Sequence, residues 1–294
     1  MAFEAIKRRA GALVLRLEAA CPDRVALAIA RCVGWLEWRL RAGRRAATLE
    51  GLSCALAATP REGDVARLGP RHAIASRLVE QLMRRPEISR RGRVVGGATL
   101  DALRGEGRGA IVMHTHVGWM VPSMYTLAAH GHADAGVAGA VEPWAVEAIE
   151  AVVSRDGCEV VLLGGAYARL RALLGEGKIV HIAFDAPGNL SCVLLAKPAA
   201  VGSGIVRLAR ETGAPVVPVT TTAPGLRMTV DVGAPVRASS FADEAALAQH
   251  LADLASADIL RLPEAWQLDS TLWPDAPPTS SVRPTSRRSR RAAG

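Results

Sequence analysis

From residue 93 to residue 232, short apolar runs rich in β-branched side chains alternate with longer stretches whose apolar residues recur at helical spacing. A strand, a helix and a second strand return to one sheet by crossing over its face, and that gives parallel neighbours. Parallel strands are covered on both faces, so they read as near-continuous apolar runs, as Ala110-Ile-Val-Met and Ile179-Val-His-Ile do. The pattern predicts strands at 93–95, 110–114, 136–140, 159–163, 179–184, 191–195, 215–220 and 227–232. Helices are expected near 119–130, 143–155, 165–175, 202–212 and 242–259. The class is α/β, with a mixed, mostly parallel sheet flanked by helices. The runs at 191–195 and 227–232 have no helix before the next turn and are expected to be antiparallel additions.

Residues 3–57 read as two or three helices that cap this sheet. Pro22 and Asp23 sit where a helix begins, and Leu27, Val33, Leu36 and Leu40 recur at roughly helical spacing. Pro60, Gly63, Gly69 and Pro70 predict a loop over 58–70, followed by a helix at 71–84. Beyond Pro274 the chain is mostly Pro, Ser, Thr and Arg, a composition that cannot bury a core. The expected organisation is a membrane-associating helical region at 1–70, an α/β domain at 71–273 and a disordered arginine-rich tail at 274–294.

The formal net charge is +8, and the tail holds half of it, with five arginines against Asp275. Only Lys7, Lys178 and Lys197 are lysines, so the positive charge is almost all arginine, whose fork matches phosphate geometry. Such a balance suits anionic lipid, an acidic carrier protein or nucleic acid. Trp35 and Trp38 lie among Arg31, Arg39, Arg41, Arg44 and Arg45, and indoles beside arginines suit a headgroup interface. No run reaches the roughly 20 apolar residues of a spanning helix. Lys7, Arg8, Arg9 and Arg16 interrupt any signal-peptide core. The five cysteines are odd in number and widely spaced, which reads as reduced thiols in a cytoplasmic setting.

The chemistry concentrates in Gly107-Arg-Gly-Ala-Ile-Val-Met-His-Thr-His-Val-Gly-Trp-Met-Val. A buried strand ends in two histidines, a glycine follows and a helix starts, which is the usual crevice of an α/β sheet. The free N–H groups of a helix start also suit a developing oxyanion or a phosphate. His114 and His116 share one face of the strand. That spacing leaves open a metal-dependent hydrolase using His114 and His116, completed by His181 and Asp185. Asp185 ends a second buried strand before Pro187 and Gly188, a position equally suited to a site or a turn. Arg207 and Arg210 share the helix that Gly213 stops, and either can hold an anion.

Four segments in this order, spread between Arg44 and Trp273, resemble the bacterial lipid A lauroyl and myristoyl acyltransferases of the lysophospholipid acyltransferase superfamily. They are Gly107 to Gly131, Gly177 to Gly188, Gly202 to Val219, and the closing Pro263-Glu-Ala-Trp. The resemblance implies an acyltransferase-like fold in which His116 is the general base. It would move a fatty acyl group from an acyl-carrier protein or CoA thioester, a co-substrate, so that no cofactor is implied. The acceptor would be a membrane lipid, glycolipid or amine, and the setting the cytoplasmic side of the plasma membrane, with peripheral contact and no nucleic acid partner.

The family's histidine is followed four residues on by an acid, and here that position is Val121. Glu142 stands where the family has an arginine for the acceptor's phosphate, which argues against a strongly anionic acceptor. Glu142 is therefore the expected replacement partner of His116, with Asp185 as its rival. The expected catalytic residues are His116, Glu142 and Asp185. The expected substrate contacts are His114, Gly118, Trp119 and Arg207, and no metal site is expected. A catalytically impaired relative that binds lipid or a partner protein is the main alternative; a nucleic-acid binder using the tail is another.

Overall fold

The computed structural model describes residues 21–118, 120–139, 143–267 and 270–273. The expected tail, the first helical stretch, Trp119 and Glu142 lie outside the described residues. Three helices come first: α1 (Asp23–Leu40), α2 (Ala42–Leu56) and α3 (Val65–Arg84). The order then runs α4 (Pro86–Arg90), β1 (Arg93–Val95), α5 (Ala98–Gly105), β2 (Ala110–His114), α6 (Met120–Ala129) and β3 (Ala135–Ala138). It continues α7 (Pro143–Val153), β4 (Glu159–Leu162), α8 (Ala166–Gly175), β5 (Ile179–Ala183), β6 (Pro187–Leu194) and β7 (Lys197–Val201). It ends α9 (Gly204–Thr212), β8 (Val216–Thr222), β9 (Thr229–Val232) and α10 (Glu244–Arg261).

Seven strands form one sheet in the order β1-β9-β8-β2-β5-β3-β4. All its pairings are parallel except β8 with β9. The second antiparallel element is a separate hairpin of β6 and β7. Strand β7 was not anticipated, because Lys197-Pro-Ala-Ala-Val has little β propensity. Its proline is tolerable because a two-stranded ribbon is all edge. The hairpin turns through Leu195 and Ala196, both with positive φ. Leu195 is buried, and its N–H donates to Ser256 Oγ at 3.0 Å, so tertiary contacts hold a turn that local sequence disfavours.

The expected loop at 58–70 ends six residues early, since α3 starts at Val65 and runs through Pro70. Leu68 and Gly69 are buried, and Gly69 lies directly under the Trp38 ring. Packing against α1 outweighs the one backbone hydrogen bond that the proline removes.

Helix α1 meets α3 through small residues, Ala26, Ala30 and Gly34. A Cβ on Gly34 would lie 2.7 Å from the Ile74 backbone, which is why only glycine allows this approach. The large side chains Val25, Ile29, Val33, Leu36 and Leu40 consequently face outward, 37–77% exposed. They fall at spacings of three and four, on one stripe of the helix. Trp35 is exposed beside the Arg39 guanidinium, 5.1 Å from its ring centre, as an interfacial indole would be. Trp38 is turned inward on Gly69, so of the two indoles expected at a headgroup interface Trp35 is the outward one. No helix among the described residues is long and apolar enough to cross a membrane.

Candidate active site

Strand β2 is wholly buried between β8 and β5. It carries residues 114–118 to the carboxyl edge of the sheet, where α6 begins. Side chains alternate as they leave the strand. His114 and His116 face one cavity, while Thr115 turns to the other side and donates to Asp258 Oδ2 at 2.5 Å. Strand β5 runs parallel beside β2 and delivers Asp185 to the same edge, with Phe184 N–H donating to His114 O at 2.9 Å.

Asp185 is 1% exposed and organises this edge. The backbone N–H of His116 donates to both of its oxygens at 2.9 Å. His116 Nδ1 lies 3.0 Å from Oδ1, and the buried Trp266 indole N–H donates to Oδ2 at 2.7 Å. Burial alone would raise this carboxyl's pKa. The opposing charge of His116 and the hydrogen bonds from His116 and Trp266 outweigh it and hold the pKa below the usual carboxylate value. An anion on Nδ1 keeps the proton there, which directs the lone pair of a neutral His116 to Nε2.

The segment that supplies Trp266 also closes the site. Val117 pairs with Trp266 as an isolated antiparallel bridge, Gln267 N–H donates to His116 O at 2.8 Å, and Gly118 N–H donates to Ala265 O at 2.5 Å. Gly118 is needed here, because a Cβ would lie 2.8 Å from Ala265 O and 2.7 Å from Val79. His72 on α3 contacts Glu264 O at 3.0 Å, tying the same segment to the helical cap. The sequence marked Pro263-Glu-Ala-Trp without assigning it work. A buried indole needs an acceptor, which was the available clue.

His116 opens onto a cavity of about 390 Å³ between the sheet and helices α3, α6 and α7. Met83, Met124, Ile149, Val160 and Ile182 are among its walls. Gly136 clears room for Met124, whose sulfur would lie 2.2 Å from an added Cβ. Val121, where an acid was expected, is one more apolar wall residue.

The expected site residues therefore separate. His114, His116 and Gly118 line the cavity, and Asp185 holds His116. Of the two acids expected to partner His116, Asp185 meets Nδ1, while Glu142 lies outside the described residues, as does Trp119. Arg207 does not reach the cavity. Its guanidinium sits 4.5 Å over the Tyr167 ring and 3.7 Å from Glu211, where α9 packs on α8. The His-Thr-His pair does not converge as a ligand set, because His114 Nε2 meets His181 Nδ1 at 2.8 Å while His116 meets Asp185. Among the described residues no group of three His, Cys, Asp or Glu side chains is placed to hold a metal ion.

The sequence profile of a family described as bacterial lipid A biosynthesis acyltransferase matches residues 4–273. The crystal structure of the 1-acyl-sn-glycerophosphate (LPA) acyltransferase PlsC from Thermotoga maritima is similar at 13% sequence identity. The match covers 84% of this chain and 100% of that one, with a TM-score of 0.39. No individually curated protein sequence matches.

Burial keeps the two inner imidazoles neutral. It drives His114 well below the ordinary histidine value, helped by His181 and His116, and takes His181 down to about 4 against the pull of the His132 carbonyl. The unfolded chain protonates both near pH 6.5, while the native state refuses those protons. Stability should therefore fall as pH drops from about 6.5 toward 4. Asp185 adds nothing to that slope, because its depressed pKa loses stability only below about 3.9. Thermal melts between pH 7 and 4 should show this decline, and replacing the pair together (H114L/H181L) should flatten it. An unchanged slope in that variant would show that the pair does not set it.

Proposed function

This chain belongs to the bacterial lipid A biosynthesis acyltransferase family and is an acyltransferase, and from that premise we propose a specific reaction. A fatty acyl group moves from an acyl-carrier protein or CoA thioester to a hydroxyl or amine of a membrane lipid or glycolipid, with His116 as general base. The observation that carries this reading is the His116–Asp185 pair at an apolar cavity.

The chemistry follows from the geometry. His116 Nε2 takes the proton of the acceptor as its oxygen or nitrogen attacks the thioester carbonyl. The carbon–sulfur bond breaks, the sulfur leaves as thiolate, and the imidazolium returns the proton to it. Asp185 stabilises the imidazolium while it exists, as a buried carboxylate does for the histidine of a serine-protease triad. The first turn of α6 begins two residues beyond Gly118, and its unsatisfied N–H groups suit the oxyanion. The apolar cavity receives the acyl chain, whose burial drives binding. Since Asp185 supplies the carboxylate, Val121 does not make the chain an impaired relative.

His116→Ala should lower turnover of dodecanoyl thioesters by about 10²–10⁴. Asp185→Asn should cost a large part of the same factor, and the double variant little more, because the pair acts as a unit. Rates can be followed by mass detection of acylated lipid in membrane extract. Intact transfer in His116→Ala would overturn the assignment.

The outward stripe of α1 supports peripheral contact with the cytoplasmic face of the plasma membrane. It places five large apolar side chains in a row beside Arg24, Arg31 and Arg39, as an interfacial helix does. Binding to anionic vesicles should weaken with salt as the arginines are screened. It should fall further in a Val33→Asp, Leu36→Asp variant; indifference to vesicles at low salt would contradict this placement.

A further inference from the structure

The cavity beside His116 contains two buried imidazoles whose hydrogen bonds settle where their protons sit. His181 Nε2 lies 3.2 Å from the carbonyl oxygen of His132. A carbonyl only accepts, so this nitrogen carries the proton. The neutral ring then has a bare lone pair at Nδ1, and His114 Nε2, 2.8 Å away, must donate to it. His114 Nδ1 is left as a second bare lone pair. Among the described residues it contacts Ser123 Oγ at 3.4 Å, but that hydroxyl has one proton and gives it to Met120 O at 2.7 Å. His114 is 4% exposed and lines the cavity. Folded proteins seldom leave such an acceptor without a donor.

We propose that His114 Nδ1 accepts a hydrogen bond from a hydroxyl on the acyl chain, which makes a hydroxyacyl thioester the preferred donor substrate. This rests on reading the cavity as the acyl site. A polyhydroxylated headgroup does not suit the space. Among the described residues, apart from His116, Gln267 and the two buried imidazoles, no side chain lining the cavity carries a hydrogen-bond donor or a strong acceptor. One chain hydroxyl matches one lone pair, and the remaining methylenes meet apolar wall. The discrimination works in one direction. A plain chain leaves the acceptor unpaired, whereas a hydroxylated chain satisfies it, and sites built around a substrate hydroxyl reject the analogue that lacks it.

The test is competition between dodecanoyl-CoA and its 2-hydroxy and 3-hydroxy counterparts, and the same three chains on acyl-carrier protein. At least one hydroxylated donor should show a kcat/KM about tenfold or more above the plain chain. His114→Leu should bring the kcat/KM ratio of hydroxylated to plain donor close to one, whatever it does to the absolute rates, and Ser123→Ala should keep the preference. If His114→Leu fails to fold, H114L/H181L removes both partners at once and should lose the preference equally. Equal or faster transfer of the plain chain overturns the proposal while leaving the acyltransfer reading intact. If no thioester is turned over, that reading fails, and calorimetric binding of 3-hydroxy- against plain dodecanoate decides: tighter binding of the hydroxy acid sustains the His114 contact, and equal binding overturns it.

Discussion

A single buried carboxylate ties three distant parts of this chain together. Asp185 sits at the end of β5, receives the backbone and side chain of His116 from the end of β2, and receives the indole of Trp266 from the segment after α10. An anion so deeply buried is costly unless each lone pair is used. Here four donor contacts fall on two oxygens, and the charge survives below its ordinary pKa. The same bonds that make burial affordable also fix the imidazole. Structural satisfaction of Asp185 and orientation of His116 are one arrangement.

Under the proposed mechanism, that arrangement accounts for a valine where an acid four residues after the histidine is expected. The partner comes from a neighbouring parallel strand, 69 residues away in sequence, because β2 and β5 pair in register and end together. With the carboxylate provided across the sheet, position 121 is released to line the apolar cavity.

Much of the frame was readable because long alternation of strand and helix leaves few topologies. The buried runs of β2 and β5, the cap Gly213 with φ of 71°, and the antiparallel β9 all follow from local pattern. Strand β7 did not, since Lys197-Pro-Ala-Ala-Val folds only by pairing with β6. The start of α3 was misplaced because Pro70 signals a break that packing on Trp38 overrides. His116 and Asp185 stood out singly as strand-end polar residues. Their pairing was expected only as the rival to Glu142, because the missing acid at Val121 drew attention to the acid at 142, which lies outside the described residues. Trp266 and the His114–His181 relay depend on contacts between elements, which no local spacing reveals.

The central claim is that Asp185 holds the Nδ1 proton of His116. Proton NMR of the protein labelled with ¹⁵N-histidine tests it directly, by following the low-field proton bonded to His116 Nδ1. The account predicts that this resonance persists in Glu142→Gln and is lost or moves far upfield in Asp185→Asn. Its loss in Glu142→Gln, with survival in Asp185→Asn, would contradict the account.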